Sequence, residues 1–339
     1  MTVSSETLPA ARTSGRSLRL VVGALALSLL ARLGSGWANG LAGYIPERLY
    51  GLLTIFLGIF IEALPFLLIG VVASAALQAF VSAEQLRRWA PNGRLLGPLA
   101  GGMLGLVFPV CECGVVPVTR RLLSKGAPFP AALAFLLASS VVNPIVLVST
   151  TVAFGDPKMA LARAGGVLAV AVLVGVVFSF HSNPAGLLAA LPASPPPPTD
   201  EGRRLRLWRV ALGASDEFFE MARYLVVGAL LAATLQTLVP RSALLAVGQG
   251  PVTSVVAMMG LAALLSICSV VDAFVALSFV STFTSGSILA FLVFGPMIDI
   301  KSTLMFLSVL KRRPVALIML LAAQGTLLLG VFINLNLGG

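Results

Sequence analysis

Gly97 to Val118 reads GPLAGGMLGLVFPVCECGVVPV. Five glycines and three prolines interrupt an otherwise apolar run, and Cys111 and Cys113 flank Glu112. A continuous spanning helix is poorly served by so many breakers, since proline removes a backbone donor and glycine weakens helix interiors. The stretch reads instead as a hairpin that turns at membrane depth, with its tip at Pro109 to Gly114. Irregular backbone survives at that depth only when it is buried in protein or lines a watery cavity. The cysteine spacing argues the same way. In an α-helix, residues 111 and 113 point about 200° apart and could not grip one ion, whereas in extended backbone residues i and i+2 share a face.

The surrounding chain sets this hairpin in a membrane. Of 339 residues, 58% are hydrophobic and 11% charged, and the mean hydropathy is +1.00; a soluble domain carries roughly 25% charged residues. Apolar segments lie near 17–36, 50–80, 95–119, 127–153, 160–182, 218–240, 251–280, 285–309 and 314–335. Each is close to or above the ~20 residues that cross a bilayer, so the chain reads as a polytopic membrane protein. Its net charge of +10 fits Lys and Arg gathered in cytoplasmic loops, and no nucleic-acid partner is expected. Three cysteines do not make a disulfide framework. One histidine, His181, excludes a His-based metal site. No GxxxxGK[ST] loop is present to hold ATP, and no cofactor is expected. Arg12, Arg16 and Arg19 precede the apolar run Leu20 to Ala31 in the manner of a signal peptide, but no A-x-A cleavage site follows; the reading is a retained first helix.

The two halves of the chain resemble each other across a proline-rich, basic linker. Shifting by 158 residues pairs Glu62 with Glu220, Gly70 with Gly228, Ala75 with Ala233 and Gln78 with Gln236. One-residue gaps then pair Cys111 with Cys268 and Asn143 with Asp299. Charge arbitrates the topology. If every segment crosses fully, loop Lys and Arg number 12 inside and 9 outside. If the segments holding Cys111 and Cys268 enter and leave on one face, the tally becomes 16 inside and 5 outside, the outer five being Arg32, Arg48, Lys158, Arg163 and Arg241. Only the second count shows the expected cytoplasmic bias. Each half then crosses three times and the second is inverted, as in many secondary transporters. The expected organisation is 1–49, polar tail and first helix; 50–182, first repeat; 183–210, cytoplasmic linker; and 211–339, second repeat.

Thiolates are soft ligands, suited to thiophilic species rather than Mg²⁺ or Ca²⁺, and ligation expels their protons. Glu112, Asp272, Asp299 and Lys301 lie within apolar segments, at a combined cost of about 10 kcal/mol on insertion scales. They must pair, neutralise or face water. Lys301 with Asp299 or Asp272 is the expected ion pair, and Glu112, between the thiols, the expected proton carrier. Glu220 and Arg223 read as a local pair on one helix face. "SSVVNP" (139–144) and "FGPMID" (294–299) each place a proline and a polar residue inside an apolar segment. Pro144 and Pro296 there free backbone carbonyls, and broken helices near the midplane commonly form transport sites. Pro109, Gly114 and Pro117 are the hinge candidates of the hairpin.

With these residues in view, the chain resembles the ArsP/YraQ-type permeases, predicted membrane permeases that include exporters of trivalent organoarsenicals. The resemblance runs from about Tyr50 to the C-terminus and is carried by "CECGVVPV" (111–118), "AFLLASSVVNP" (134–144), "CSVVDAFVA" (268–276) and "FGPMIDIKS" (294–302). It implies an efflux permease with Cys111, Cys113 and Cys268 as arsenic ligands. The chain departs from the family pattern at Ser140, where a proline is usual.

The resulting expectation is an all-α polytopic membrane protein: an N-terminal transmembrane helix and two inverted repeats, each with a re-entrant hairpin and a broken helix. It is a transporter rather than an enzyme, a multi-pass protein of the plasma membrane with a cytoplasmic N-terminus. Its function is proton-coupled export of a thiophilic metalloid, a trivalent (methyl)arsenical. Cys111, Cys113, Cys268, Asn143 and Asp299 bind the cargo; Glu112, Asp272, Asp299 and Lys301 form the proton and charge relay. Its partners are the lipid bilayer, the metalloid and protons, and homo-oligomerisation stays open. The alternatives are transport of another soft metal or small sulfur compound, and a membrane thiol–disulfide oxidoreductase.

Overall fold

A computed structural model of the chain describes residues 47–81, 84, 93–107, 111–180, 184–189, 203–238 and 250–336. Pro109, the first apolar segment and half of the linker lie outside the described residues. By its internal contacts the chain divides into Met1–Gly51 and Leu52–Gly339. Among the described residues, the first unit consists of the opening turn of a long helix.

That helix is α1 (Glu47–Phe80). It is followed by α2 (Leu96–Met103), which runs on as a 3₁₀ turn over Leu104–Leu106, and then by α3 (Glu112–Ser124). Next come α4 (Phe129–Ala138), α5 (Pro144–Phe154) and α6 (Pro157–Ser179). After the linker a similar order returns, one long helix, four shorter ones and one long helix. It comprises α7 (Arg203–Leu238), α8 (Thr253–Leu265), α9 (Asp272–Leu277), α10 (Ser285–Met297), α11 (Ile300–Phe306) and α12 (Arg312–Asn336). Helix α7 starts at Arg203, inside the stretch read as linker. There is no strand among the described residues, only an isolated bridge between Leu188 and Leu310.

Among the described residues, five spans are long and apolar enough to cross a membrane: Leu49–Phe80, Pro157–Ser179, Ala211–Leu238, Ser285–Phe306 and Arg312–Asn336. The protein is an all-α polytopic membrane protein. Its surface is apolar where a soluble protein's would be polar: Ile61, Leu161, Phe219 and Leu328 are each at least two-thirds exposed. Bilayer hydrocarbon accepts that surface. The arms of the two cysteine-bearing segments are different. Helices α3 and α8 have 13 residues each, about 20 Å at ~1.5 Å per residue, against a ~30 Å hydrocarbon core.

The broken helices are present where the prolines predict them. Between α4 and α5 the chain leaves helical geometry at residues 139–143, and Pro144 opens α5 with Asn143 as its N-cap. Between α10 and α11 only Ile298 and Asp299 are non-helical, and Pro296 lies in the last turn of α10. A proline at the first position loses no helical bond, because that N–H has no intrahelical partner.

Several glycines of the opening stretch serve close packing rather than turning. A Cβ on Gly101 of α2 would overlap the carbonyl of Ala131 in α4. Gly114, expected as a hinge, sits in the first turn of α3 against Gly70 of α1, where a Cβ on Gly70 would lie 2.5 Å from the Gly114 carbonyl oxygen. Close to the other end of α1, three carbonyls find one cation. The Lys125 ammonium donates to Leu77 O at 3.0 Å, to Gln78 O at 2.9 Å and to Val81 O. Burial, with Arg121 nearby, pushes Lys125 below the usual lysine range.

Candidate functional site

The two cysteine-bearing segments end in the same local structure. Cys111 is the N-cap of α3 in extended backbone, φ −78° and ψ 175°. Its carbonyl accepts the N–H groups of Gly114 and Val115, both at 3.0 Å. Cys268 lies just before α9, and its carbonyl accepts from Val271 and Asp272, both at 3.0 Å. The extended tip is shorter than the sequence suggests, because α3 already begins at Glu112. The change from extended to helical backbone between 111 and 113 still brings the thiols together, and Cys111 and Cys113 lie within hydrogen-bonding reach. All three cysteines are free and buried.

The N-caps of the broken helices also correspond. Asn143 Oδ1 accepts from Ile145 N at 2.9 Å, and Asp299 Oδ1 accepts from Ser302 N at 2.6 Å. The breaks touch across the halves. Ser140 Oγ donates to Pro296 O at 3.3 Å, and Ser269 Oγ donates to Ser140 O at 2.9 Å. Ser140 thus ties one break to the other through its hydroxyl and its carbonyl.

Lys301, on the first turn of α11, is the centre of the charged cluster. Its ammonium lies 3.1 Å from Glu112 Oε1 and 3.3 Å from Asp299 Oδ2, and donates to Ser266 O at 2.8 Å. Ser266 presents that carbonyl because it closes α8 in left-handed backbone, φ 47°. Lys301, Glu112 and Asp299 are each no more than 3% exposed. Two carboxylates therefore share one ammonium in a buried space, and Glu112 Oε2 and Asp299 Oδ2 have no hydrogen-bond donor among the described residues. Cys268 is close enough to interact with the charges of Glu112 and Lys301. So is Glu62, half-buried in mid-α1. Among the described residues no three His, Cys, Asp or Glu side chains are grouped to hold a metal ion.

Asp272 is not a partner of Lys301. It pairs with Arg163 of α6, with Nη2 at 2.6 Å from Oδ2. The charge tally placed Arg163 among the loop cations outside; it is instead fully buried. Four acceptors make that burial tolerable: besides Asp272, Thr150 Oγ1 at 2.8 Å and the carbonyls of Ser269 and Leu292 at 3.2 Å each. The signal was available in the sequence. A lone cation three residues inside an apolar run calls for a buried carboxylate, and Asp272 was such a carboxylate. Arg120 and Arg121 likewise leave the loop. Arg120 grips Glu220 with two bonds, 2.7 and 2.9 Å. Arg121 lies 3.4 Å from Glu217, which also accepts from Ser74 Oγ at 2.8 Å. The expected Glu220–Arg223 pair exists at 3.7 Å and is the weaker of the two.

Residues 48–335 match the model of a family described as predicted permeases, ArsP_1. The chain belongs to this family. Over 268 residues the permease is 48% identical to "UPF0718 protein YcgR" of Bacillus subtilis (strain 168), covering 78% of this chain and 90% of that protein. Over 272 residues it is 34% identical to a "Putative two-component membrane permease complex subunit" of Streptococcus mutans serotype c (strain ATCC 700610 / UA159), covering 80% and 90%. No solved structure matches the permease significantly. The cysteines, carboxylates and Lys301 all fall within the matched region.

Proposed function

We propose that this permease is a secondary-active exporter of a thiophilic metalloid, a trivalent (methyl)arsenical, coupled to protons. The observation that carries this reading is the buried Lys301 cluster beside a thiol pair: Glu112 lies between Cys111 and Cys113 and contacts Lys301 at 3.1 Å. Each thiol that ligates the cargo releases a proton. Carboxylates outnumber the ammonium beside them, so the site has somewhere to put it. Cys111 and Cys113 take the cargo, and Cys268 supplies the third sulfur as the segments before α3 and α9 close on it. Asn143 and Asp299, capping the two broken helices, line the same passage. Glu112, Asp299 and Lys301 pass the proton, and Asp272 with Arg163 holds α9 in place.

The repeated order of elements, the paired cysteine carbonyls and the paired N-caps support two repeats of inverted topology with α2–α3 and α8–α9 as re-entrant hairpins. The basic loops then face the cytoplasm. The Streptococcus relative's name adds one further element to the proposal, a second component that forms a complex with this chain.

The test is uptake of trivalent methylarsenical into everted vesicles with and without an imposed proton gradient. Wild type accumulates it only with the gradient, and Cys111→Ser does not. Equal accumulation by the two proteins would refute the metalloid reading. Of the alternatives, another soft metal or a small sulfur compound is favoured if a substrate panel replaces the arsenical in the same assay.

A further inference from the structure

A cavity of about 670 Å³ opens where α6 ends and α12 begins, lined by Phe178, Gly186, Leu187, Lys311–Arg313, Pro314 and Leu317. Its walls are fixed. The loop carrying Gly186 and Leu187 is strapped to the segment before α12 by Lys311 N to Leu187 O, 3.0 Å, and Ala189 N to Val309 O, 2.9 Å. The Lys311 ammonium donates to Gly186 O at 2.7 Å. Three consecutive cations thus face one cavity that has no acidic lining residue among the described residues. Arg312 and Arg313 are exposed, and neither has a carboxylate partner among the described residues. The positive-inside bias accounts for cations in this loop, but it does not require a fixed cavity walled on its other sides by Phe178, Leu187, Pro314 and Leu317. Basic pockets between helices at a membrane surface suit anionic lipid headgroups, with the glycerol and upper acyl chain on the apolar wall.

We propose that this cavity is a binding site for an anionic phospholipid, with Arg312 and Arg313 on the phosphate and Phe178 and Leu317 against the chain. The site is separate from the Lys301 cluster, and its occupancy does not depend on the cargo.

The experiment is native mass spectrometry of the full chain in neutral detergent, titrated with phosphatidylglycerol or phosphatidylcholine. Phosphatidylglycerol is retained at least about tenfold more tightly, and the preference shrinks as ionic strength rises. Arg312→Gln and Arg313→Gln each weaken retention about fivefold, whereas Lys158→Gln, at the far end of α6, leaves it unchanged. Millimolar inorganic phosphate does not displace the lipid. Equal retention of the two lipids, salt-independent preference, unchanged retention in both arginine variants, or displacement by phosphate alone would each overturn the proposal. The salt arm uses the unaltered chain, so a variant that fails to fold does not spare the idea.

Discussion

Removing Arg163 should unfold more of this protein than removing any loop cation. Arg163→Met deletes the 2.6 Å contact with Asp272 Oδ2 and the donors to Thr150, Ser269 and Leu292. Asp272 Oδ1 already lacks a hydrogen bond, so both carboxylate oxygens are then left without a donor at 3% exposure. Removing one partner of a buried pair costs about 3–5 kcal/mol. At roughly 2–4 °C per kcal/mol, a thermal midpoint in detergent falls on the order of 10 °C. Arg163→Lys loses less, because one ammonium can serve some of the four acceptors but not all. The double variant Arg163→Met with Asp272→Leu decides the cause. Replacing both charges by apolar groups is often near neutral, so the double variant recovers most of the loss, with a coupling of about 2 kcal/mol. A single variant within about 0.5 kcal/mol of wild type, or strict additivity in the cycle, would refute the reasoning.

Gly70→Ala forces α1 away from the backbone of α3 and costs about 1–3 kcal/mol, while Gly58→Ala, with nothing within 4 Å of its Cβ, is neutral or stabilising; thermal unfolding of the pair separates packing from propensity. Gly228→Ala would place a Cβ 2.8 Å from Lys301 Cα, and is expected to lower transport by tenfold or more, read in the vesicle assay, by moving the ammonium off Glu112. Lys125→Met removes three carbonyl bonds near the end of α1 and costs about 1–2 kcal/mol, seen as faster amide exchange over residues 77–81.

Much of this fold was legible because bilayer physics leaves few options. Apolar runs of near 20 residues became helices, and Pro144 and Pro296 marked breaks because proline's ring and missing donor act locally, whatever the tertiary context. The glycines were harder to read. Gly101 and Gly114 were legible as breakers, yet a glycine that lets two helices touch has the same local signature as one that turns a chain. Only the positions of Ala131 and Gly70 distinguish them. Charge pairing was legible as a necessity but not as a matching. The insertion cost says that Asp272 must have a partner, and tertiary structure alone says that it is Arg163 rather than Lys301.

Among the described residues, several ion pairs join a residue before the linker to one after it, which bears on movement. Arg120 meets Glu220, Arg163 meets Asp272, and Glu112 meets Lys301. If the halves move against each other during transport, at least one of these contacts must open. Arg163 is the least suited to open, since its guanidinium is fully buried with four acceptors on three elements and on the segment before α9. Lys301 is the best suited. Its two carboxylate distances, 3.1 and 3.3 Å, are longer than the 2.6 Å of the arginine pair. Its shortest bond goes to a neutral carbonyl of its own half, Ser266, so the ammonium keeps that partner and Asp299 when Glu112 withdraws. Neutralising Glu112 by substitution would remove the attraction across the halves and leave the attraction within the second half intact. The Glu112 charge is thereby the part of this cluster that ties one half to the other. Crosslinking tests that tie: in a background without the native cysteines, a cysteine pair bridging α3 and α11 should form more slowly in Glu112→Gln than with Glu112 present at the same pH, and equal rates would leave Lys301 a purely structural lysine.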